Sequence, residues 1–188
     1  MPVHLTGRVC DMPAIQAVAD RHGLVVIEDA AQAIGSMLMD KAAGAWGDAA
    51  AFSLHPLKNL NAAGDAGFLT TRRADVAERV RLLRNHGMVR PAEGPATFVC
   101  TGWNFRLSEL HAAIGVVQMD RLEHLLQDRA RIAAGYQRRL APLTSRGLML
   151  PRVPEGAHPN WQSYVVRVPL GVDQDAVANA LVAAGVQC

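Results

Sequence analysis

The stretch "LVVIED", Leu24–Asp29, decides the fold. Four apolar residues run without alternation into two carboxylates. Unbroken apolarity over so short a run fits a strand buried on both faces, as in a parallel sheet. Upstream, "DMPAIQAVADRHG" (11–23) reads as a short helix with Asp11 as N-cap and Gly23 as its stop. Downstream lie two more apolar runs, "DAAAFSL" (48–54) and "AGFLTT" (66–71). Next, "RADVAERVRLLRNHG" (73–87) sets Val76, Val80 and Leu83 on one helical face and stops at Gly87. "RPAEGPATFVCTG" (90–102) reads as a Pro- and Gly-rich loop. A long helix is expected over 108–140, capped by Ser108. Its stripe runs through Leu110, Ile114, Val117, Leu122, Leu125, Ile132 and Tyr136. "APLTSRG" (141–147) marks a boundary. Beyond it come a strand candidate, "WQSYVVRVPL" (161–170), and a helix candidate, "DQDAVANALVAAG" (173–185), with Asp173 as N-cap. Strands alternating with helices imply an α/β fold.

The totals narrow the function. The chain has 188 residues, half of them hydrophobic, and a net charge of +2. No block of lysine or arginine provides an electrostatic footprint for nucleic acid. The pairs Arg72-Arg73 and Arg138-Arg139 read as solvated faces. Three cysteines, Cys10, Cys100 and Cys188, lack metal-ligand spacing, and their odd number argues against a disulfide framework, which points to a reducing cytoplasm. No apolar run approaches the ~18 residues of a membrane span, and "MPVHLTGRVC" lacks the layout of a signal peptide.

Two residues stand out for chemistry. Asp29 closes the first apolar run, and ligands of open α/β sheets bind beyond the carboxyl ends of strands. Its bland role is to cap a following helix or to satisfy a loop, and caps are common. Glu28 is the rival acid, but strand alternation points it the other way. Lys58 follows the second run in "HPLKNLNAAGD". A loop lysine is ordinarily solvated. Here Pro56 fixes the backbone, Gly64 and Gly67 permit tight turns, and Ser53 and His55 add a hydroxyl and an imidazole. A deprotonated lysine amine attacks carbonyls, and pyridoxal phosphate chemistry needs both such a lysine and an acid for the ring nitrogen. No phosphate-binding GxxxxGK[ST] or GxGxxG, no GxSxG and no paired metal-binding histidines occur.

The blocks "VIEDAAQAIGS", "FSLHPLKNLNAAGDAG", "LRNHGM", "GWNFRLSELHAAIG" and "NWQSYVVRV" together resemble the DegT/StrS sugar aminotransferases, in the same order and over nearly the whole chain. The resemblance implies the three-layer fold type I large domain of pyridoxal-phosphate enzymes, with a mostly parallel sheet. It implies a large-domain portion over 1–142, including the helix 108–140, and the beginning of a small C-terminal domain over 143–188. It places the Schiff-base lysine at Lys58 and the carboxylate for the pyridinium nitrogen at Asp29. Gln32 falls on a glutamine packed against the cofactor, and Ser53 on a phosphate-binding hydroxyl. Asn104 falls on an asparagine that reaches the cofactor phosphate of a neighbouring subunit, which implies a homodimer with shared sites. His55 falls near the substrate pocket. The expected reaction moves an amino group, usually from glutamate, to a keto group of a nucleotide-linked sugar.

Family chains are roughly twice as long and begin with a Gly-Thr phosphate segment, so this chain resembles the middle of such an enzyme. Where the family has a GDGG turn, this sequence has Gly64-Asp65-Ala66-Gly67, which requires a negative φ at Ala66. Leu54 stands where an aromatic is common. Two other readings stay open: a sugar dehydratase of the same fold, disfavoured because Lys58 is present, and a catalytically silent partner-binding module.

Overall fold

The computed structural model describes residues 1–187. It divides into two compact units. The first comprises Met1–Ala130 and Val153–Ser163; the second takes Arg131–Arg152 and the chain from Tyr164 onward.

In the first unit, α1 (Met12–His22) begins where the Asp11 carboxylate accepts from the Ala14 N–H, and it ends at Gly23 with φ +62°. Such a cap contributes about 1 kcal/mol. The chain then enters β1 (Ile27–Asp29). The small strands β2 (Met37–Leu38) and β3 (Lys41–Ala42) form a hairpin. They are followed by β4 (Ala49–Ser53) and β5 (Gly67–Thr71). The main sheet has the order β1-β4-β5. β1 and β4 are parallel, in the register Ile27↔Ala49, Glu28↔Ala50, Asp29↔Ala51. β5 runs antiparallel to β4. Its apolar run therefore does not mark a parallel strand; cross-strand stacking of Phe68 on Phe52, with centroids 4.8 Å apart, accounts for its composition instead. Val3 adds a parallel bridge to Asp29 on the outer side of β1.

The expectation that "LVVIED" is buried on both faces fails. Val26 and Glu28 are buried, whereas Val25 and Ile27 are exposed. The core lies on one side, gathered around Met12, Ala30, Ala50, Leu54 and Leu60.

Helix α2 (Ala74–Leu83) precedes a short hairpin of β6 (Met88–Val89) and β7 (Thr97–Phe98), the second strand of which falls inside the segment expected to be loop. The long helix is two: α3 (Glu109–Asp120), capped by the Ser108 hydroxyl accepting from the His111 N–H, and α4 (Leu122–Leu140). Arg121 separates them, with φ −98° and ψ −1°. Leu110 and Val117, expected on the core stripe, are exposed, and the buried positions of the two helices are Gly115 and Ala133. Residues Ala157–His158 form β8, which pairs with β2.

The second unit holds the end of α4, a 3-10 turn over Ala141–Arg146 and α5 (Gln174–Ala183), whose N-cap Asp173 accepts from the N–H groups of Asp175 and Ala176. Tyr136 stacks on Tyr164 at 5.2 Å, and the Tyr164 hydroxyl donates to Gln137 Oε1 at 2.8 Å. "WQSYVVRVPL" is not a strand. Only Arg167 pairs, in a single bridge to Met149, and β-branched composition without a partner strand does not make a ladder.

Candidate active site

Parallel pairing brings the carboxyl ends of β1 and β4 to the same edge of the sheet, so Asp29 and Ser53 end neighbouring strands. Alternation separates the two acids of β1. Glu28 is wholly buried. Its Oε2 accepts from His4 Nε2 and the Gly44 N–H, each at 2.8 Å. Its Oε1 accepts from the N–H groups of Trp46 and Gly47 at 2.8 and 2.7 Å. Burial pushes this carboxyl's pKa up, but those four donors outweigh it and hold it below its ordinary value. His4 is buried too, and its Nδ1 accepts from the Cys10 N–H at 3.2 Å, so the proton sits on Nε2 and the ring is neutral. Glu28 is thus a structural anchor.

Asp29, half-buried, is placed differently. Its Oδ1 accepts from the Ala31 N–H at 3.1 Å, and no helix follows for it to cap. Among the described residues Oδ2 has no partner. The satisfied-loop role therefore accounts for one carboxylate oxygen and leaves the other open.

After β4 the chain turns sharply, with the Lys58 N–H donating to the His55 carbonyl at 2.8 Å. The Ser53 hydroxyl accepts from the His55 N–H at 3.2 Å. His55 Nδ1 accepts from the Leu57 N–H at 3.1 Å, which leaves its proton on Nε2, 3.9 Å from the exposed Asp65. The half-buried Lys58 side chain forms no hydrogen bond or ion pair among the described residues. Gln32 lies in the turn after β1, its Oε1 accepting from the Thr6 N–H at 2.7 Å. Asn104 is exposed, bridged by its backbone to Asn85 and joined to none of the other candidates by a hydrogen bond.

Two turn expectations change. Neither Gly64 nor Gly67 is left-handed; what both require is space. A Cβ on Gly64 would lie 2.5 Å from His111 Nε2, and one on Gly67 would lie 2.6 Å from the Phe52 carbonyl oxygen. Ala66 is not left-handed either, so alanine is tolerated there, and Ala63, with φ +58°, makes the turn.

Sequence reasoning missed the segment that ties this edge together. Asn160, 2% exposed, donates from Nδ2 to the carbonyls of Gln32 and Ile34, both at 2.9 Å. Its own carbonyl accepts from Asn59 Nδ2 at 2.8 Å. Gln162 bonds the backbone on both sides of Lys58. The available signal was two carboxamides in "NWQ", which the sequence reading used as the start of a strand candidate and of a family block and not as part of the site.

The donor set fits pyridoxal phosphate: an open carboxylate oxygen for a ring N–H, an unpaired amine for an aldehyde and a hydroxyl for a phosphate. Asp29 closes β1, and Lys58 lies in the turn that follows the parallel neighbour β4. The sequence profile of the DegT/DnrJ/EryC1/StrS aminotransferase family matches residues 1–188, and the chain belongs to that family. It is 40% identical to a pleiotropic regulatory protein of Geobacillus stearothermophilus, over 90% of this chain and 44% of the relative. It is also 40% identical to the GDP-perosamine synthase of Caulobacter vibrioides, over 100% of this chain and 50% of that enzyme. The structure of S. venezuelae DesV in complex with a ketimine intermediate superposes with a TM-score of 0.88 at 38% identity, over 98% of this chain and 47% of DesV. The chain spans about half the length of the relatives it matches.

Proposed function

We propose that the protein containing this chain transfers an amino group, with glutamate as donor, to a keto group of a nucleotide-linked sugar, using pyridoxal phosphate. The observation that carries the reading is the pairing of β1 with β4, which sets the open oxygen of Asp29 and the unpaired amine of Lys58 beyond neighbouring strand ends. The names of the Caulobacter and S. venezuelae relatives support it. The free thiols Cys10 and Cys100 support a cytoplasmic setting. No helix of the described residues is long and apolar enough to cross a membrane.

Bound pyridoxal phosphate supplies an aldehyde and an electron-withdrawing ring. Lys58 would hold it through its amine, and the same amine would serve to move a proton at the substrate carbon. The open oxygen of Asp29 would keep a proton on the ring nitrogen. Ser53 would offer its hydroxyl proton to the phosphate, and Gln32 would pack against the cofactor. His55, with its proton on Nε2, would line the substrate pocket. Asn104 would serve a neighbouring subunit's phosphate in a homodimer; its exposure supports that use.

The test is to load the full-length protein with cofactor, reduce with borohydride, digest and map the pyridoxyl-bearing peptide. The label belongs on Lys58. A label on Lys41 or any other residue refutes the assignment. The regulatory name of the Geobacillus relative favours a second reading, a partner-binding module without catalysis. Its signature is a folded, full-length protein that takes up no label.

A further inference from the structure

We propose that Gln162 is the positioning residue for Lys58. The proposal rests on the reading of Lys58 as the cofactor-binding lysine. The Gln162 carboxamide accepts from the Asn59 N–H at 3.1 Å and donates from Nε2 to the Leu57 carbonyl at 3.0 Å. These are the backbone groups immediately before and after Lys58. One side chain therefore brackets the lysine much as the peptide of a neighbouring strand would. Lys58 makes no side-chain bond among the described residues, so its direction is set by the backbone that Gln162 grips.

The grip is itself supported. The Gln162 N–H donates to Asn160 Oδ1 at 2.9 Å, and Asn160 is buried while bonded to the turn after β1. Asn59, 6% exposed, donates its side chain to the Asn160 carbonyl. Between the two carboxamides, Trp161 sits at φ +53°, a conformation disfavoured for a bulky residue, and its carbonyl accepts from Arg129 Nη1 at 3.0 Å. Residues 160–162 thus join the turn that follows Asp29 to the turn that holds Lys58. The bracket needs a donor and an acceptor on one side chain of this length. Glutamate has the acceptor alone when ionised, and methionine is a weak acceptor with no donor.

The experiment uses the full-length protein supplied with pyridoxal phosphate. It measures the rate of covalent attachment at Lys58, trapped with borohydride and quantified by peptide mass, and the hydrogen exchange of the Asn59 amide. In Gln162→Met, attachment slows about 10-fold, as misplacement of a reacting group does, and Asn59 exchanges faster. Gln162→Glu keeps the acceptor but turns an unprotonated oxygen on the Leu57 carbonyl. Its attachment rate relative to wild type is low at neutral pH and recovers as the carboxyl protonates and donates again. That recovery distinguishes positioning from general loss of structure, and it carries the test if Gln162→Met does not fold. Wild-type label on Lys58 with unchanged attachment and exchange in the folded variants overturns the role of Gln162 alone. Wild-type label elsewhere overturns the Lys58 reading and the positioning role together.

Discussion

Replacing Glu28 by glutamine changes one oxygen to an amide nitrogen and nothing in size, yet the site has no place for it. Oε2 faces two donors, His4 Nε2 and Gly44, and Oε1 faces two more, Trp46 and Gly47. Whichever way the amide turns, its NH2 meets two N–H groups. His4 cannot relieve the clash by moving its proton, because Nδ1 already accepts from Cys10. Both side chains are fully buried, so water does not compensate. Leaving two donors unsatisfied and losing a multiply bonded carboxylate costs about 3–5 kcal/mol. That is a large share of the ~5–15 kcal/mol available to a domain. Urea denaturation of the full-length protein, followed by tryptophan fluorescence, measures it. The depressed carboxyl also sets the pH dependence. Its stabilisation is complete above the ordinary glutamate value of about 4.3 and is lost as pH falls through the lower folded value. The gap between wild type and Glu28→Gln should stay constant near neutrality and shrink in acid. A loss below about 1 kcal/mol at pH 7 would refute the donor arrangement.

Lys58→Ala and Lys58→Arg should both abolish borohydride-trapped cofactor, whereas Asp29→Asn should retain it and lose at least about 100-fold in turnover, since proton placement contributes on that order. Mixing inactive Lys58→Ala and Asn104→Ala subunits should restore activity in hybrids; confirmed hybrids with no activity would exclude a shared site. Gly67→Ala should cost more than Gly64→Ala. The first meets the Phe52 backbone inside the β4–β5 pair and the second a histidine ring that can swing, so losses of about 3 and 1 kcal/mol are expected in thermal melts.

What the sequence disclosed was local. Asp11, Ser108 and Asp173 cap their helices through bonds to N–H groups two or three residues on, and such spacing is legible in one dimension. The separation of Glu28 from Asp29 followed from strand alternation. The break at Arg121 was invisible because neither glycine nor proline marks it. "WQSYVVRVPL" misled because β-branched residues report suitability for a sheet without supplying a partner. At the candidate site, the turns of Asp29 and Lys58 were readable as strand ends. Their attachment to Asn160 and Gln162 was not, since it crosses 101 to 128 residues and depends on two carboxamides whose partners no pattern encodes.

That attachment also has a place in time. Asn59 and Asn160 are 101 residues apart, and a ribosome adds about 5–20 residues per second. For roughly 5–20 s of synthesis, then, Lys58 exists without the side chains that hold its turn. Its amine is chemically complete before its direction is fixed, and a cofactor molecule arriving in that interval meets a loop that has not yet been set.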